Sequence, residues 1–191
     1  MSRYILSFIG FMVISGCAYR FGYVQRDLPE GYKQIAIPVF KNMTQEVSIE
    51  RFFTNELIHQ FGRSQVANVV SVADAPATIE GRITDIKYVP GGQVNGNKSS
   101  ENKIGIPRNS VLTVEYRVLV NADIVLRRNS DQKVLWQGSF SNESVYAAPQ
   151  VGLNVVNSVN ALYNNSARIN LIEHMAHDMM AEAHDRMTEN F

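Results

Sequence analysis

A single cysteine, Cys17, occurs among the 191 residues. One thiol forms no intramolecular disulfide, no redox dithiol and no thiolate-rich zinc site, so the fold must hold by packing. An excess of charge is also missing, since 18 Lys and Arg stand against 18 Asp and Glu. That balance argues against a general nucleic-acid or anionic-surface binder, and any anion contact must come from local placement of charge. No apolar run approaches the roughly 20 residues that a membrane-spanning helix needs. Signs of catalysis are absent too. Gly91-Gly-Gln-Val-Asn-Gly96 does not open a helix, no serine sits in a nucleophile elbow, and no carboxylate pair stands out. A non-enzyme without cofactor or metal is the expectation.

What the chain does have begins at its N-terminus. Arg3 precedes an apolar run from Tyr4 to Ile14, which ends in Ile14-Ser-Gly-Cys17. A charged start, a short apolar centre and small residues before a cleavable position read as an export signal, residues 1–16. A cysteine directly after Ser-Gly is what lipoprotein processing requires. The Cys17 thiol takes a diacylglycerol and its freed amine takes a further acyl chain such as palmitate. Each buried methylene adds about 0.8 kcal/mol, so several chains make a durable anchor. Ala18 is not the aspartate that retains lipoproteins at the inner membrane, which favours the periplasmic side of the outer one. Cleavage removes only Arg3 from the charged set, leaving 17 basic and 18 acidic residues. Residues 17–31, rich in turn formers, read as a lipidated tether, and 32–191 as one domain.

Within the domain, Lys33 to Phe40 alternates Ile35, Ile37 and Val39 against Gln34, Ala36 and Pro38, which predicts a strand with a missing donor at Pro38. From Val47 to about Arg63 the spacing turns helical, with Ile49, Phe52, Phe53, Leu57 and Phe61 on one side, Ser48 as N-cap and Gly62 near the end. Asn68 to Val72 reads as a short strand. Thr78 to Val89 reads as a longer one, whose apolar phase slips from Ile79, Gly81 and Ile83 to Ile86 and Tyr88, predicting a bulge near Thr84–Asp85. Pro90 to Asn109 lacks periodicity and reads as a long hairpin connection. Val111 to Leu126 alternates strongly, Arg127 to Lys133 turns, and Val134, Trp136 and Phe140 return in phase. Ala148 to Gly152 breaks that strand, and Asn154 to Asn165 has no clear period. A closing helix from Ser166 carries Ile169, Ile172, Met175, Ala176, Met179, Met180, Ala183 and Met187 as its apolar stripe. The order predicts an α+β fold, with two helices on one face of a mixed four- to five-stranded sheet and a polar opposite face. His174, His177 and His184 share the last helix with Asp178, and they read as solvated helix-face residues, not as metal ligands.

Several of these segments carry a resemblance. Cys17-Ala-Tyr-Arg-Phe21, Leu28-Pro-Glu-Gly31 and Gln34-Ile-Ala-Ile-Pro-Val-Phe-Lys-Asn-Met-Thr44 are similar to the opening of the LptE family of lipopolysaccharide-assembly lipoproteins. So are Phe53-Thr-Asn-Glu-Leu57, Ala75 to Ile86 and Glu115-Tyr-Arg-Val-Leu-Val-Asn-Ala122, in a divergent, non-enterobacterial form. The resemblance implies a two-helix α+β plug inside the large outer-membrane β-barrel LptD, which it helps to assemble and with which it inserts lipopolysaccharide into the outer leaflet. A polar sheet face suits a polar barrel interior. It also implies lipopolysaccharide contact through a basic residue ahead of the Glu-Tyr strand. Arg108 is the nearest counterpart, with Lys98 and Lys103 in the same loop, and guanidinium donors match phosphate oxygens. These three charges would equally serve to solubilise the loop. A second family contact, a lysine beyond the last strand, has no counterpart, because Tyr146 to Ala167 contains no basic residue. The alternative is another envelope lipoprotein, an assembly factor of secretion or curli type, which the strand Ile35 to Asn42 also resembles.

Overall fold

Pro38 decides how the start of the domain joins the sheet. The computed structural model describes residues 26–95, 108–148, 150–152, 157–159 and 161–189. The segment expected as one strand is cut into β1 (Gln34–Ala36) and β2 (Lys41–Asn42), on either side of the proline. Both run parallel along the same edge of β4 (Ala77–Pro90), with Ala36 beside Thr78 and Lys41 beside Arg82. Between those pairs the first chain uses one more residue than β4 does, so it bows outward where proline offers no donor. The bow turns Phe40 inward, 3% exposed, and Val39 outward, 65% exposed. This corrects the expected phase, in which Val39 continued the face of Ile35 and Ile37. The Phe40 ring then settles flat on Gly81 of β4, where a Cβ would lie 2.2 Å from it.

Helix α1 (Glu50–Ser64) places Phe53, Leu57 and Phe61 at four-residue intervals, all fully buried. Its start differs from expectation. Ser48 has φ +67° and does not cap; the N-cap is Ile49, which makes no side-chain cap bond. Thr54 secures this end instead, donating to the Glu50 carbonyl while accepting the Phe40 N–H. Gly62 stays inside the helix, which ends at Gln65 in the left-handed conformation, its N–H returned to the Phe61 carbonyl. The next strand, β3 (Asn68–Val69), is shorter than expected.

From β4 the chain forms an antiparallel meander with β7 (Glu115–Arg128) and β8 (Val134–Ala147). The bulge expected near Thr84 is present, and the register shifts between Ile83 and Asp85. That single extra residue moves Ile86 and Tyr88 onto the face that Ile79 and Ile83 occupy before it. The stretch expected as one strand from Val111 breaks at Val114 into β6 (Val111–Thr113) and β7, because β6 pairs instead with β5 (Gln93–Asn95) as a separate hairpin. A second shift, between Leu126 and Arg127, puts Val134 out of phase with Trp136 and leaves it exposed, against expectation. A small antiparallel pair, β9 (Gln150–Gly152) and β10 (Asn157–Val159), precedes helix α2 (Ala161–Thr188), which begins ahead of Ser166.

The strand order is β3-β1-β4-β7-β8, with β2 added to β4, and both helices lie on one face. This is the α+β arrangement predicted. Ile172, Met175, Met179, Met180 and Met187 of α2 meet the α1 aromatics and the inward side chains of β7, Val118 to Leu126 at alternate positions. Burying each of these stabilises the fold by about 1.5–3 kcal/mol. The helices run parallel to one another, since Glu56 meets His177 and Ser64 meets His184.

Candidate functional site

The face without helices is built from the outward residues of β4, β7 and β8. Register aligns Lys41, Arg82, Asp123 and Ser139 in one row across four strands. Asp123 accepts the Ser139 hydroxyl at 2.7 Å, Arg127 lies 3.9 Å from Glu80, and Arg117 pairs with Glu143 at 3.0 Å. A groove of about 620 Å³ runs here, lined by Lys41, Glu80, Arg82, Asp123, Arg127, Gln137 and Ser139, with Arg186 of α2 also reaching it. Charges of both signs therefore tile the open sheet face, as the alternation along β7 predicted.

At one end of the sheet three tyrosines gather. Pro90, Tyr116 and Tyr146 lie side by side across β4, β7 and β8, with the last two rings stacked 5.6 Å apart. Tyr88 donates to Glu46 at 2.8 Å, and the same carboxylate meets Arg168, whose guanidinium lies 5.6 Å from the Tyr88 ring centre. Burial first, then the Glu46 carboxylate, pushes the Tyr88 phenol well above its ordinary pKa. Burial likewise raises Tyr146, against the opposing Arg168 charge. A cavity of about 480 Å³ opens beside them, lined by Thr44, Glu46, Asp85, Tyr88 and Arg168 among others, and the Arg168 Nε is buried without a partner. Nothing in the local sequence joins these residues. Only the register of β4, β7 and β8 and the start of α2 bring them together, and Arg168 follows directly on the stretch that lacks basic residues.

Arg108 belongs to this same end, exposed in the turn that leads into β6. Backbone bonds from Gly91 to Glu115 and from Ala148 to Val114 carry the meander past Tyr116 toward it. Arg127 sits at the far end of β7, twelve residue steps from Glu115 at its start, about 40 Å away at ~3.3 Å per residue. Lys98, Lys103 and Cys17 lie outside the described residues.

The family model LptE, described as lipopolysaccharide-assembly, matches residues 32–187. The chain belongs to the LptE family. Among curated proteins none matches it. Solved structures of similar shape include the PelC dodecamer from Paraburkholderia phytofirmans, at 10% identity over 84% of this chain and 90% of that one, TM-score 0.47. Lipoprotein GNA1162 from Neisseria meningitidis gives 12% identity, 75% and 97% coverage and TM-score 0.41. Rare lipoprotein B from Shewanella oneidensis gives 10%, 81% and 89%, and 0.39.

LptE proteins are non-catalytic assembly lipoproteins of the cell envelope, and the three histidines of α2 differ in their settings. His174 is exposed. His177 is 2.9 Å from Glu56 on α1. His184 corrects the expectation of a solvated residue: it is buried, 2.8 Å from the Ser64 hydroxyl, and its ring meets Phe61 edge-on at 4.9 Å. Burial holds its pKa below the usual imidazole value. Asp185 opposes that shift, and Arg26 and Arg63 add to it. Among the described residues no group of three His, Cys, Asp or Glu is placed to hold a metal, and no helix is long and apolar enough to cross a membrane.

The N-terminal approach to the domain is anchored as well. Leu28 is buried in the core, Arg26 pairs with Asp185 at the end of α2, and Glu30 pairs with Arg128 beside the β7–β8 turn. Arg128 in turn holds the Glu30 carboxyl below its ordinary pKa. The chain thus enters the body at the end of the sheet opposite Arg108.

Proposed function

We propose that this LptE-family chain is a lipid-anchored outer-membrane protein that serves as plug and assembly partner of an LptD-type β-barrel in placing lipopolysaccharide in the outer leaflet. Membership of the lipopolysaccharide-assembly family over residues 32–187 carries the reading. A sheet face tiled with charges of both signs supports it, because a barrel lumen is polar and wet whereas a lipid-facing surface is not. Cys17 is the lipidation site, and Ala18 after it favours the outer membrane. The buried Leu28 and the docked Arg26 leave nine residue steps between Cys17 and the body, at most about 30 Å of chain. The body is therefore held close beneath the leaflet that carries its lipid.

Direct lipopolysaccharide contact is assigned to Arg108, with Lys98 and Lys103 in the same connection. Arg108 stands exposed in the turn ahead of β6, toward the end of the sheet remote from the anchor. The test is depletion of the chain from cells. An LptD-type barrel should then lose its folded, heat-modifiable form, and lipopolysaccharide should fall in the outer leaflet. A barrel that still folds, with an unchanged leaflet, contradicts the reading.

A further inference from the structure

Lys41 and Arg82 stand directly opposite one another on β2 and β4, both exposed. Like charges placed face to face across a ladder are unfavourable, and folds ordinarily separate or neutralise them. Here neither side chain makes an ion pair or hydrogen bond with any described residue. The nearby carboxylates make their direct contacts elsewhere while keeping their charge: Asp123, next in the row, takes the Ser139 hydroxyl, Glu80 is nearest to Arg127, and Glu182 holds Arg186. Two adjacent cations thus stand without a direct ion pair inside a groove of about 620 Å³, where Lys41, Arg82, Arg127 and Arg186 outnumber the carboxylates Glu80 and Asp123.

We propose that Lys41 and Arg82 form the seat for an acidic side chain, Asp or Glu, projecting from the wall of the protein partner, and that this seat docks the open sheet face. The proposal rests on the barrel reading given above and adds the face and the chemistry of the contact. Charge complementarity selects the occupant. A phosphate group in this groove would face Glu80 and Asp123 as well as the two cations, and a compact dianion is repelled by both carboxylates. A protein wall offers separate groups of each sign, so a carboxylate meets Lys41 and Arg82 while basic groups meet Asp123 and Glu80. Arg82 supplies the bidentate fork and Lys41 the point charge.

The seat has a signature that a structural residue lacks. Removing either charge relieves repulsion in the free protein yet removes attraction in the complex. The experiment uses the full lipidated chain, tagged and extracted from its own membranes in mild detergent, as wild type, as the double variant Lys41→Gln/Arg82→Gln, and as Arg51→Gln on the exposed side of α1. The double variant should recover at least about tenfold less barrel than wild type, Arg51→Gln the same amount, and the double variant alone should melt at or above the wild-type temperature. Equal recovery of barrel by double variant and wild type overturns the seat and leaves the barrel reading intact. A lowered melting temperature assigns the pair a structural role and overturns it too. Binding of lipopolysaccharide micelles by the isolated chain should be unchanged; a parallel loss would make the occupant a phosphate. No barrel with wild type ends both the reading and the seat.

Discussion

Gly81→Ala should be among the most damaging small substitutions in this protein. A Cβ on residue 81 would lie 2.2 Å from Cε2 of Phe40 and 2.3 Å from Cδ2 and Cζ, so it meets the face of the ring and not a movable tip. Carbon atoms in contact need about 3.5–4.0 Å, and the ring would have to retreat by more than an ångström. It has little room to do so. Phe40 is buried, its N–H is fixed to Thr54 at 3.0 Å, and Lys41 next to it is in register with Arg82. Overpacking of this kind costs about 1–3 kcal/mol. Loss of the whole ring from the core, as in Phe40→Ala, costs about 3–5 kcal/mol. We expect Gly81→Ala to fall near the upper end of the first range, a drop of roughly 5–10 °C in melting temperature for a domain of this size. Urea or thermal unfolding of the purified chain measures it. The double variant provides the control: with Phe40 already alanine, adding Gly81→Ala should cost almost nothing, a coupling of about 2 kcal/mol or more. Additive effects, or a single variant within about 0.5 kcal/mol of wild type, would refute the packing of Phe40 on Gly81.

Three further outcomes are expected. Cys17→Ser should accumulate as an uncleaved or mislocalised precursor on fractionation; normal processing of that variant would remove the lipid anchor. Arg108→Asp should weaken lipopolysaccharide binding several-fold more than Arg127→Asp in a binding assay on the isolated chain, because Arg127 lies at the opposite end of β7; equal effects would remove the loop assignment. His184 has a depressed pKa in the fold, so the unfolded chain binds the proton more readily, and stability present above the ordinary imidazole pKa of ~6.5 is lost as pH falls below it. His184→Gln should flatten that part of the stability–pH profile, and a profile unchanged by the substitution would contradict the burial.

The elements that could be read from sequence were those whose pattern is local. The Thr84 bulge showed as a phase slip between Ile83 and Ile86, and the α2 stripe showed as methionines three and four residues apart. What could not be read depends on partners distant in the chain. Pro38 announced a gap, but only the parallel fit of β1 and β2 on β4 reveals that the gap inverts Val39 and Phe40. Val111 to Leu126 alternates without interruption, and only the pairing of β6 with β5 splits it at Val114. His184 repeats the His-Asp pair of exposed His177 seven residues earlier; its burial follows from α1 ending at Ser64 beside it. The Lys41–Arg82 pair, 41 residues apart, and the Tyr88–Arg168 cluster exist only through register and tertiary contact.

A plug of this kind requires a stable union between this chain and a large β-barrel. Native mass spectrometry of the complex released from gently solubilised membranes tests it most directly. One acylated copy of this chain bound to one copy of an outer-membrane barrel is the predicted mass. A chain found alone, or bound to a secretin or a small oligomeric pore, would contradict it.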